Sequence, residues 1–278
     1  MAQDLISVII PAYNESKTIT ACVKSLLNQS LKPQEIILID DDSSDDTVSK
    51  IKRLQKKSRK IKLLIQFHKG PALARNKAAQ IAQGKILVFV DADMEFESYF
   101  LENLTEPIIT KKAIGSWSGN EWVKNWDNLW ARCWNYNLNR SDAHMISPDP
   151  GQRKVFRAIL KSEFKKVGGY DATGYTDDWT LVEKLKTKPF ITQAKFYHHN
   201  PSSLLKVFHQ ARWIGKRPYK LGFFGKLITI LRANAGFSII IGLTKSIGFK
   251  EPKFLIFKLV YDLGIILGIL ESFAGKRY

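Results

Sequence analysis

Short apolar runs alternate with longer segments of helical periodicity along the first third of the chain. The runs cover residues 5–10, 35–39, 61–65 and 86–90, and their length and composition predict β-strands. The segments between them carry apolar residues three and four positions apart, which predicts helices. Strands that alternate with helices of this length favour a mainly parallel sheet with right-handed crossovers. The sequence therefore predicts a Rossmann-like α/β fold in this part of the chain.

The predicted helix ends carry residues with known capping preferences. Ser16 is a candidate cap for the first helix, and Asp45 or Asp46 for the second. Pro71 fits the first turn of the third helix, which we expect to end at Gly84. A Gly-x-Gly-x-x-Gly motif does not follow the first strand, and no Gly-Lys-Ser/Thr loop occurs in the sequence. Dinucleotide and P-loop sites are therefore disfavoured.

Four tryptophans recur every four residues in the middle of the chain. They are Trp122, Trp126, Trp130 and Trp134. On a helix this spacing forms a broad stripe, which we interpret as an apolar face packed on the sheet. Stacking on sugar rings or a position at a membrane interface is the alternative interpretation.

A mixed pattern returns after the tryptophans. The pattern over residues 154–160 predicts a strand, and the pattern over residues 162–167 predicts a helix. A turn at Gly168 and Gly169 is expected to follow this helix. A further helix is expected to start around Asp178.

The last sixty residues are strongly apolar. Residues 221–247 and 254–270 approach the length of a membrane span, which needs about 20 apolar residues. Each segment contains charged residues, and the connector 245–253 carries three lysines and one glutamate. Gly264 and Gly268 have the Gly-x-x-x-Gly spacing found between membrane helices, which favours contact with lipid. Spanning helices and amphipathic helices lying in the interface both stay open.

Charge and cysteine content narrow the class of protein further. Forty-three lysines and arginines against 26 acids give a net charge of +17, which favours polyanionic partners. Basic and aromatic side chains alternate over residues 204–220, as expected for contact with an anionic membrane surface, although a solvated helix is the alternative.

The only cysteines, Cys22 and Cys133, have no metal-site spacing, and a reducing compartment fits them. Because no secretory signal is visible at the amino terminus, we expect the catalytic part of the chain to be cytoplasmic.

Two carboxylates follow the fourth predicted strand. Asp91 and Asp93 stand directly after residues 86–90, at the edge of the sheet where open α/β folds bind ligands. Carboxylate oxygens suit Mg²⁺ or Mn²⁺ carrying a diphosphate. A solvated loop is the simpler explanation of this pair when it is considered alone.

Four segments resemble, in order and spacing, the family 2 glycosyltransferases of GT-A fold. They are residues 8–15, 39–47, 70–76 and 90–93. The resemblance covers roughly the first 215 residues of the chain. It implies the GT-A fold, a nucleotide-sugar donor and a Mn²⁺ or Mg²⁺ cofactor.

The resemblance also implies roles for individual residues. Those expected to contact the donor nucleotide are Pro11, Ala12, Tyr13, Glu15, Asp41 and Arg75, with Asp41 accepting a hydrogen bond from the base and Arg75 near the diphosphate. Asp93 is expected to bind the metal, with Asp91 close to the ion and to the donor sugar or ribose. A divalent ion on these carboxylates would neutralise a diphosphate leaving group.

A second group of residues resembles the acceptor side of cellulose-synthase-related members. Thr176-Asp177-Asp178 is similar to their Thr-Glu-Asp triplet, which implies that Asp178 is the general base with Asp177 beside it. A helix cap is the structural alternative for Asp178. Arg212 and Trp213 match a Gln-x-x-Arg-Trp motif whose glutamine falls one residue late here, and the resemblance implies that Arg212 faces the diphosphate and Trp213 stacks near the acceptor. One of His198 and His199 could complete the metal site.

The implied activity is an inverting, metal-dependent hexosyl transfer. We expect a nucleotide sugar, with GDP-mannose as the favoured donor, and a hydroxyl of a lipid-linked saccharide at the cytoplasmic face of the cell membrane as acceptor. A polyprenyl-phosphate sugar synthase and a UDP-sugar-dependent polysaccharide transferase are the alternatives. A non-catalytic scaffold and a nucleic-acid binder are disfavoured, the latter because no reading helix or stacking platform is evident.

The composition and the motifs divide the chain into three parts. We predict a catalytic domain over residues 1–203, an interface segment over residues 204–220 and membrane-associated helices over residues 221–278.

Overall fold

The computed structural model describes residues 5–145 and 155–275, which form strands β1–β10 and helices α1–α11. The first elements are β1 (Ile6–Ala12), α1 (Ile19–Leu27), β2 (Glu35–Asp40), α2 (Thr47–Gln55), β3 (Ile61–Ile65), α3 (Pro71–Ile81), β4 (Ile86–Phe89), β5 (Met94–Phe96), α4 (Phe100–Ile109), β6 (Gly115–Ser118) and β7 (Glu121–Val123). The later elements are α5 (Leu129–Asn137), β8 (Ala158–Leu160), α6 (Lys161–Lys166), α7 (Thr180–Leu185), β9 (Phe190–Thr192), β10 (Phe196–His198), α8 (Leu204–Gly215), α9 (Gly222–Arg232), α10 (Ala235–Gly248) and α11 (Phe254–Phe273). A 3₁₀ turn, Asp177–Trp179, precedes α7.

A seven-stranded sheet with the order β3–β2–β1–β4–β8–β6–β9 is the centre of the fold. Strands β1 to β4 are parallel, β8 runs antiparallel to β4 and β6, and β9 is parallel to β6. A second sheet has the order β5–β10–β7. The predicted α/β fold with a largely parallel sheet is therefore confirmed.

The central strands are mainly apolar because both faces of the sheet are covered by helices. Val8 and Ile10 in β1 face a core that includes residues of α1, α2 and α4. Ile9, which points the other way, belongs to a second core with residues of α3 and α7. Alternate residues of a strand point to opposite faces, so a strand buried on both faces reads as a continuous apolar run.

The predicted strand positions agree closely with the structure, whereas two predicted helix ends are wrong. Pro71 occupies the first turn of α3, as predicted. Helix α1 is capped at Thr18 rather than Ser16, because Ser16 lies in a loop where the Asp45 carboxylate accepts its N–H at 3.2 Å. Helix α3 ends at Ile81, and Gly84 instead donates its N–H to the hydroxyl of Ser7 at 2.8 Å.

The tryptophan stripe does not form, because a turn separates its members. Trp122 lies in β7 and Trp126 precedes α5. The side chain of Asn128 caps α5 by accepting the N–H groups of Trp130 and Ala131, which fixes the start of this helix at Leu129. Trp130 and Trp134 pack against residues of α11 rather than against the sheet.

The segment before α7 is shorter and less regular than predicted. The strand expected over residues 154–160 is β8, and residue 154 lies outside the described residues. Gly168 and Gly169 form the predicted turn with φ angles of 73° and 76°, which glycine adopts without strain. The helix expected near Asp178 begins as the 3₁₀ turn.

The described residues fall into two compact units. The first unit holds residues 5–122, 155–172 and 177–198, and the second holds residues 123–145, 173–176 and 199–275. The seven-stranded sheet belongs to the first unit, and α5 with α8–α11 belongs to the second. The predicted domain boundaries at residues 203 and 220 stay predictions.

Helix α11 packs closely on α8 within the second unit. A Cβ atom at Gly264 would lie 2.7 Å from the carbonyl oxygen of Phe208, and one at Gly268 would overlap the carbonyl oxygen of Arg212. The small residues therefore allow the two backbones to approach each other. The Gly-x-x-x-Gly pattern, which we expected to contact lipid, serves this helix pair.

Two charged residues of the apolar tail, Lys258 and Asp262, pair with each other. Lys258 donates to the Asp262 carboxylate at 2.7 Å, and this carboxylate also accepts the Ser238 hydroxyl of α10 at 2.6 Å. Among the described helices, none satisfies the length and apolarity needed for a membrane span by itself, whereas α9 and α10 satisfy them as a pair bent by 62°. Membrane association of the tail stays a prediction.

Substitution of Gly268 by Ala tests the close packing of α8 and α11. The added methyl group must displace the backbone of α8, so we expect a loss of about 1–3 kcal/mol in the free energy of unfolding. The matched control is Gly248→Ala at the end of α10, where an added Cβ would meet nothing within 4 Å. Thermal and urea unfolding followed by circular dichroism measure both variants, and equal stability of the two would contradict the packing described here.

Candidate active site

The loops that follow β1 and β2 are held together by hydrogen bonds. The side-chain oxygen of Asn14 accepts the N–H of Ser44 at 2.9 Å, and the N–H of Asn14 is accepted by the Ser43 hydroxyl at 2.9 Å. Asn14 adopts a positive φ of 56°, which Asn tolerates better than most residues. Partial burial would raise the pKa of Asp45, but hydrogen bonds from Thr47 and Ser16 lower it to about 2. The predicted donor-pocket residues therefore stand on a fixed loop.

Tyr13 and Glu15 occupy different surroundings in this loop. The Tyr13 side chain is 48% exposed, and its ring centroid lies 4.4 Å from that of His68. The Glu15 carboxylate accepts a hydrogen bond from the Thr18 hydroxyl at 2.8 Å. The backbone N–H of Glu15 donates to the Thr47 hydroxyl at 2.8 Å. Pro11 and Ala12 belong to β1. Tyr13 with His68 thus offers an exposed aromatic surface beside the loop.

Asp41 organises the loop that leads into α3. Its buried carboxylate accepts the N–H groups of Lys69 at 2.9 Å and Gly70 at 2.8 Å, and the side-chain amide of Gln66 at 2.8 Å. His68 lies 3.0 Å from the same carboxylate. These contacts fix the turn at Gly70, whose φ is 85°, and hence the start of α3. The predicted role of Asp41 toward a nucleotide base stays a prediction.

Asp91 lies between two arginines. Arg75 donates to one of its oxygens at 2.6 Å, and Arg157 lies 3.7 Å from the other. Burial alone would raise the pKa of the Asp91 carboxyl, but the charges of Arg75, Arg157 and His198 hold it below its usual value. Asp91 is therefore an anion at neutral pH. Strand β4, helix α3 and the residue before β8 meet at this point.

Arg157 is a site residue that the sequence analysis missed. Its guanidinium lies 5.1 Å from the centroid of the Phe196 ring and 3.4 Å from the sulfur of Met94. Its Nε–H is buried and has no hydrogen-bond partner among the described residues. No local motif marks this arginine, because β8 reaches the site only by antiparallel pairing with β4.

Asp93 contacts a histidine that is itself held by a second acid. The Nε2 atom of His198 lies 3.1 Å from the Asp93 carboxylate, and its Nδ1 atom lies 2.8 Å from Glu121. Burial would lower the pKa of His198, but Asp93 and Glu121 raise it well above its usual value. The imidazole is accordingly protonated in this arrangement. Glu121 was not predicted, and His198 is the one of the two candidate histidines that faces Asp93.

The pair Asp93 and His198 fits a divalent ion. Adjacent ligands of an octahedral ion at about 2.1 Å lie roughly 3 Å apart, close to the observed separation of the two atoms. A histidine ligand held by a carboxylate on its other nitrogen is a common feature of metal sites. Among the described residues, no group of three or more His, Cys, Asp or Glu side chains is arranged to hold a metal by itself. A metal at Asp93 would therefore need ligands from donor phosphate or water.

Asp178 lies within electrostatic range of Asp91, Arg75 and Arg157, which we call the Asp91 cluster. Burial and the negative charge of Asp91 raise the pKa of Asp178 to about 6, against the lowering influence of Arg75 and Arg157. The preceding Asp177 is buried, and its carbonyl oxygen accepts the Thr180 hydroxyl at 2.6 Å. Asp178 thus has the pKa of a group that can accept a proton near neutral pH.

The segment before Asp178 is tied to α3. The side-chain amide of Asn76 donates to the Tyr170 carbonyl at 2.8 Å and accepts the Tyr170 N–H at 2.9 Å. The neighbouring Arg75 lies 5.7 Å from the centroid of the Tyr170 ring. Helix α3 therefore positions both the arginine on Asp91 and the chain that leads to Asp178.

Arg212 and Trp213 belong to the second unit. Arg212 and Lys216 both pair with Glu271 of α11, the latter at 3.1 Å. The Trp213 ring lies 5.2 Å from that of Tyr175. Their predicted contacts with a diphosphate and an acceptor stay predictions. Within the first unit, Arg75 and Asp91 come together with Asp178, which follows Asp91 by 87 positions in the sequence.

Comparison with known proteins gives consistent matches. The chain is 41% identical over 115 residues to the UDP-Glc:alpha-D-GlcNAc-diphosphoundecaprenol beta-1,3-glucosyltransferase WfaP of Escherichia coli, covering 41% of this chain and 45% of that protein. It is 27% identical over 210 residues to the GalNAc(5)-diNAcBac-PP-undecaprenol beta-1,3-glucosyltransferase of Campylobacter jejuni, covering 74% of this chain and 65% of that protein. The matches thus span less than two thirds of either relative.

The fold is shared with solved glycosyltransferase structures. The mannosyltransferase PcManGT of Pyrobaculum calidifontis, solved with GDP-Man and Mn²⁺, superposes with a TM-score of 0.57 over 93% of this chain and 86% of that chain, at 18% identity. Residues 7–163 match the profile described as Glycosyl transferase family 2. Because this match covers more than half of the sequence, the chain belongs to glycosyl transferase family 2.

Proposed function

We propose that the protein transfers a hexose, with inversion, from a nucleotide sugar to a hydroxyl group of a lipid-linked saccharide. The observation that carries the proposal is the position of Asp178, whose pKa is about 6, within range of Arg75, Asp91 and Arg157. A hydroxyl acceptor needs a base near neutral pH, whereas a lipid phosphate is already a nucleophile. The elevated pKa of Asp178 therefore favours the saccharide acceptor.

Asp178 acts as the general base in this proposal. Its carboxylate takes the proton of the acceptor hydroxyl as the oxygen attacks the anomeric carbon on the face opposite the leaving nucleotide. Such an attack inverts the configuration, so a nucleotide α-sugar gives a β-linked product. The two relatives described above are named as beta-1,3-glucosyltransferases, which agrees with this stereochemistry.

The carboxylates after β4 have separate roles in the proposal. Asp91, held as an anion by Arg75 and Arg157, accepts a hydrogen bond from a hydroxyl of the donor sugar or ribose. Asp93 and His198 would hold a divalent ion, which would supply positive charge against the departing diphosphate. The loop residues Pro11, Ala12, Tyr13, Glu15 and Asp41 surround the nucleotide.

The names of the relatives favour a uridine nucleotide over the GDP-mannose expected from the sequence. WfaP is named for UDP-Glc, and both relatives are named as acting on undecaprenol-linked saccharides. We therefore propose a UDP-hexose as donor and an undecaprenol-diphosphate-linked saccharide as acceptor. Because such an acceptor is anchored in lipid, the proposed location is the cytoplasmic face of the cell membrane.

Replacement of Asp178 by Asn tests the general base. The variant keeps the size of the side chain but cannot take a proton, so we expect kcat to fall by about 10²- to 10⁴-fold with donor affinity little changed. Asp171→Asn is the matched control, because this carboxylate pairs with Lys184 outside the Asp91 cluster. Sugar transfer to a synthetic lipid-linked saccharide and nucleotide titration measure the two quantities. Full turnover by Asp178→Asn would remove the residue from this role.

The pH dependence of transfer tests the environment of Asp178. With a pKa of about 6, Asp178 loses its proton as pH rises through this value, so kcat/KM should increase up to about pH 6 and then level off. Arg157 lowers the pKa of Asp178, so Arg157→Gln should move this rise to higher pH. Lys165→Gln, which removes an exposed cation of α6, should leave the profile in place. An unshifted profile in Arg157→Gln would contradict the proposed coupling.

A thermal-shift panel tests the donor and the ion together. At 100 times its Kd, a bound nucleotide stabilises the native state by about 2.7 kcal/mol, and we expect this effect for UDP with Mn²⁺ but not for GDP or dTDP. A chelator, or the substitution Asp93→Asn, should weaken the stabilisation, whereas Asp127→Asn at an exposed position should not. Stabilisation by GDP alone would restore the mannose donor, and equal stabilisation with and without chelator would exclude a metal at Asp93.

A further inference from the structure

The cations near the end of α8 fall into two classes. Arg212 and Lys216 share the Glu271 carboxylate, and hydrogen bonds from Arg212 lower the pKa of Glu271 to about 2. Beyond Lys216 the chain carries Arg217, Lys220, Lys226 and Arg232, and three of these cations, Arg217, Lys220 and Arg232, line a cleft. None of these three forms an ion pair with a carboxylate in the part of the chain that the structure describes. Their charges are therefore available to an external anion.

The three unpaired cations line one cleft in the second unit. The cleft has a volume of about 400 Å³ and lies between the turn after α8 and the part of α9 from Gly225 to Arg232. The Arg217 guanidinium lies 5.2 Å from the centroid of the Tyr219 ring, which forms part of the wall. The Tyr219 hydroxyl donates to the Gly215 carbonyl at 3.3 Å and so holds the turn against α8. We refer to this cavity as the Arg217 cleft.

A glycine keeps the wall of the Arg217 cleft compact. A Cβ atom at Gly225 would lie 3.0 Å from the Cβ atom of Tyr219, so a larger residue would push α9 away from the turn. The Thr229 hydroxyl donates to the carbonyl of Gly225 at 2.8 Å, one turn further along α9. The cleft is therefore formed by fixed backbone together with three long cationic side chains.

The helices next to the cleft have an exposed apolar face. On α9 and the residue before it, Leu221, Phe224, Ile228 and Leu231 recur three or four residues apart and are 41–70% exposed. On α10, Phe237, Ile240 and Ile247 are 53–79% exposed. Exposed apolar surface of this kind on a helix that also carries cations is typical of segments that lie in a membrane interface.

Cations and apolar side chains in this arrangement match one class of ligand. Arginine binds phosphate oxygens through two parallel hydrogen bonds, which makes it the preferred residue for phosphate recognition. The adjacent apolar face would accept hydrocarbon chains. A ligand that presents both groups at this spacing is a lipid with a phosphate in its headgroup.

We propose that the Arg217 cleft binds the phosphate of a membrane lipid while the apolar faces of α9 and α10 lie in the lipid interface. Charge complementarity with an anionic bilayer supports this occupant, since the chain carries a net charge of +17. The phosphate is that of an anionic phospholipid, because charge complementarity with the bilayer selects this occupant. A polyprenyl phosphate, which would rest on the proposed function, is the competing outcome of the test.

Vesicle binding by the full chain tests this site. The triple substitution Arg217→Gln, Lys220→Gln and Arg232→Gln empties the cleft of charge. The matched control is Arg53→Gln, Lys56→Gln and Arg59→Gln, which removes the same charges from exposed positions in and after α2. Flotation with phosphatidylcholine vesicles containing phosphatidylglycerol measures affinity. We expect the cleft variant to bind about tenfold or more weakly, because each cation near the surface contributes several-fold, and the control to change less than about twofold.

Two further arms identify the source of the phosphate and separate general charge from a site. Vesicles with undecaprenyl phosphate replace phosphatidylglycerol at equal surface charge, and farnesyl diphosphate in solution competes with either. Equal binding to the two kinds of vesicle supports phospholipid headgroups as the occupant, whereas stronger binding to undecaprenyl phosphate would overturn this assignment in favour of the acceptor lipid. Equal losses in the cleft and control variants would show attraction by net charge alone and would overturn the proposal.

The donor assay keeps this inference separate from the proposed function. UDP-dependent thermal stabilisation should be unchanged in the cleft variant, which also shows that the variant is folded. Loss of lipid binding with retained nucleotide binding supports the cleft. Retained lipid binding in the cleft variant, together with normal sugar transfer, would exclude the cleft as the lipid-binding site. The glycosyltransferase proposal would stay in place.

Discussion

The ionic contact of Asp91 with Arg75 and Arg157 is the constraint on which the rest of the site depends. Burial alone would favour the neutral acid, but two guanidinium groups keep the carboxylate charged. Removing one partner of such a partly buried group is costly because a charge is left uncompensated. The contact joins the end of β4 to α3 and to the residue before β8, and Asp178 lies in the field of the same charges. The pKa of about 6 at Asp178 is thus a balance between burial and Asp91 on one side and two arginines on the other.

The sequence predicted the parts of the site that local patterns define. Parallel strands meet at their carboxyl ends, so motifs after β1, β2 and β4 had to converge, and Arg75 follows from its place on α3. Arg157 and Glu121 could not be predicted in this way. Arg157 reaches Asp91 through antiparallel pairing of β8 with β4, and Glu121 reaches His198 across 77 positions of sequence. The tryptophan spacing misled for a related reason: periodicity cannot show where a capping residue such as Asn128 starts a new helix.

Net charge favours a polyanionic partner, but it cannot show which cations are already paired inside the fold. In the second unit, Lys258 pairs with Asp262, and Arg212 and Lys216 pair with Glu271. These charges interrupt the apolar pattern in the sequence, yet in the fold they stabilise contacts between helices. The small residues at Gly264 and Gly268 likewise bring α11 onto α8. Sequence patterns associated with membranes therefore have an internal packing role here, and the exposed apolar face is confined to other positions.

Asp91 and Asp93 stand two residues apart but differ in what surrounds them. The oxygens of Asp91 face guanidinium groups, which cannot lose their protons, so a metal there would have to displace an arginine. Asp93 faces an imidazole, which can lose its proton and then act as a ligand itself. A divalent ion can therefore replace the proton shared by Asp93 and His198 without leaving a buried charge unpaired. The surroundings thus favour Asp93 over Asp91 as the metal ligand, and they favour Asp91 as a fixed acceptor for hydroxyl groups.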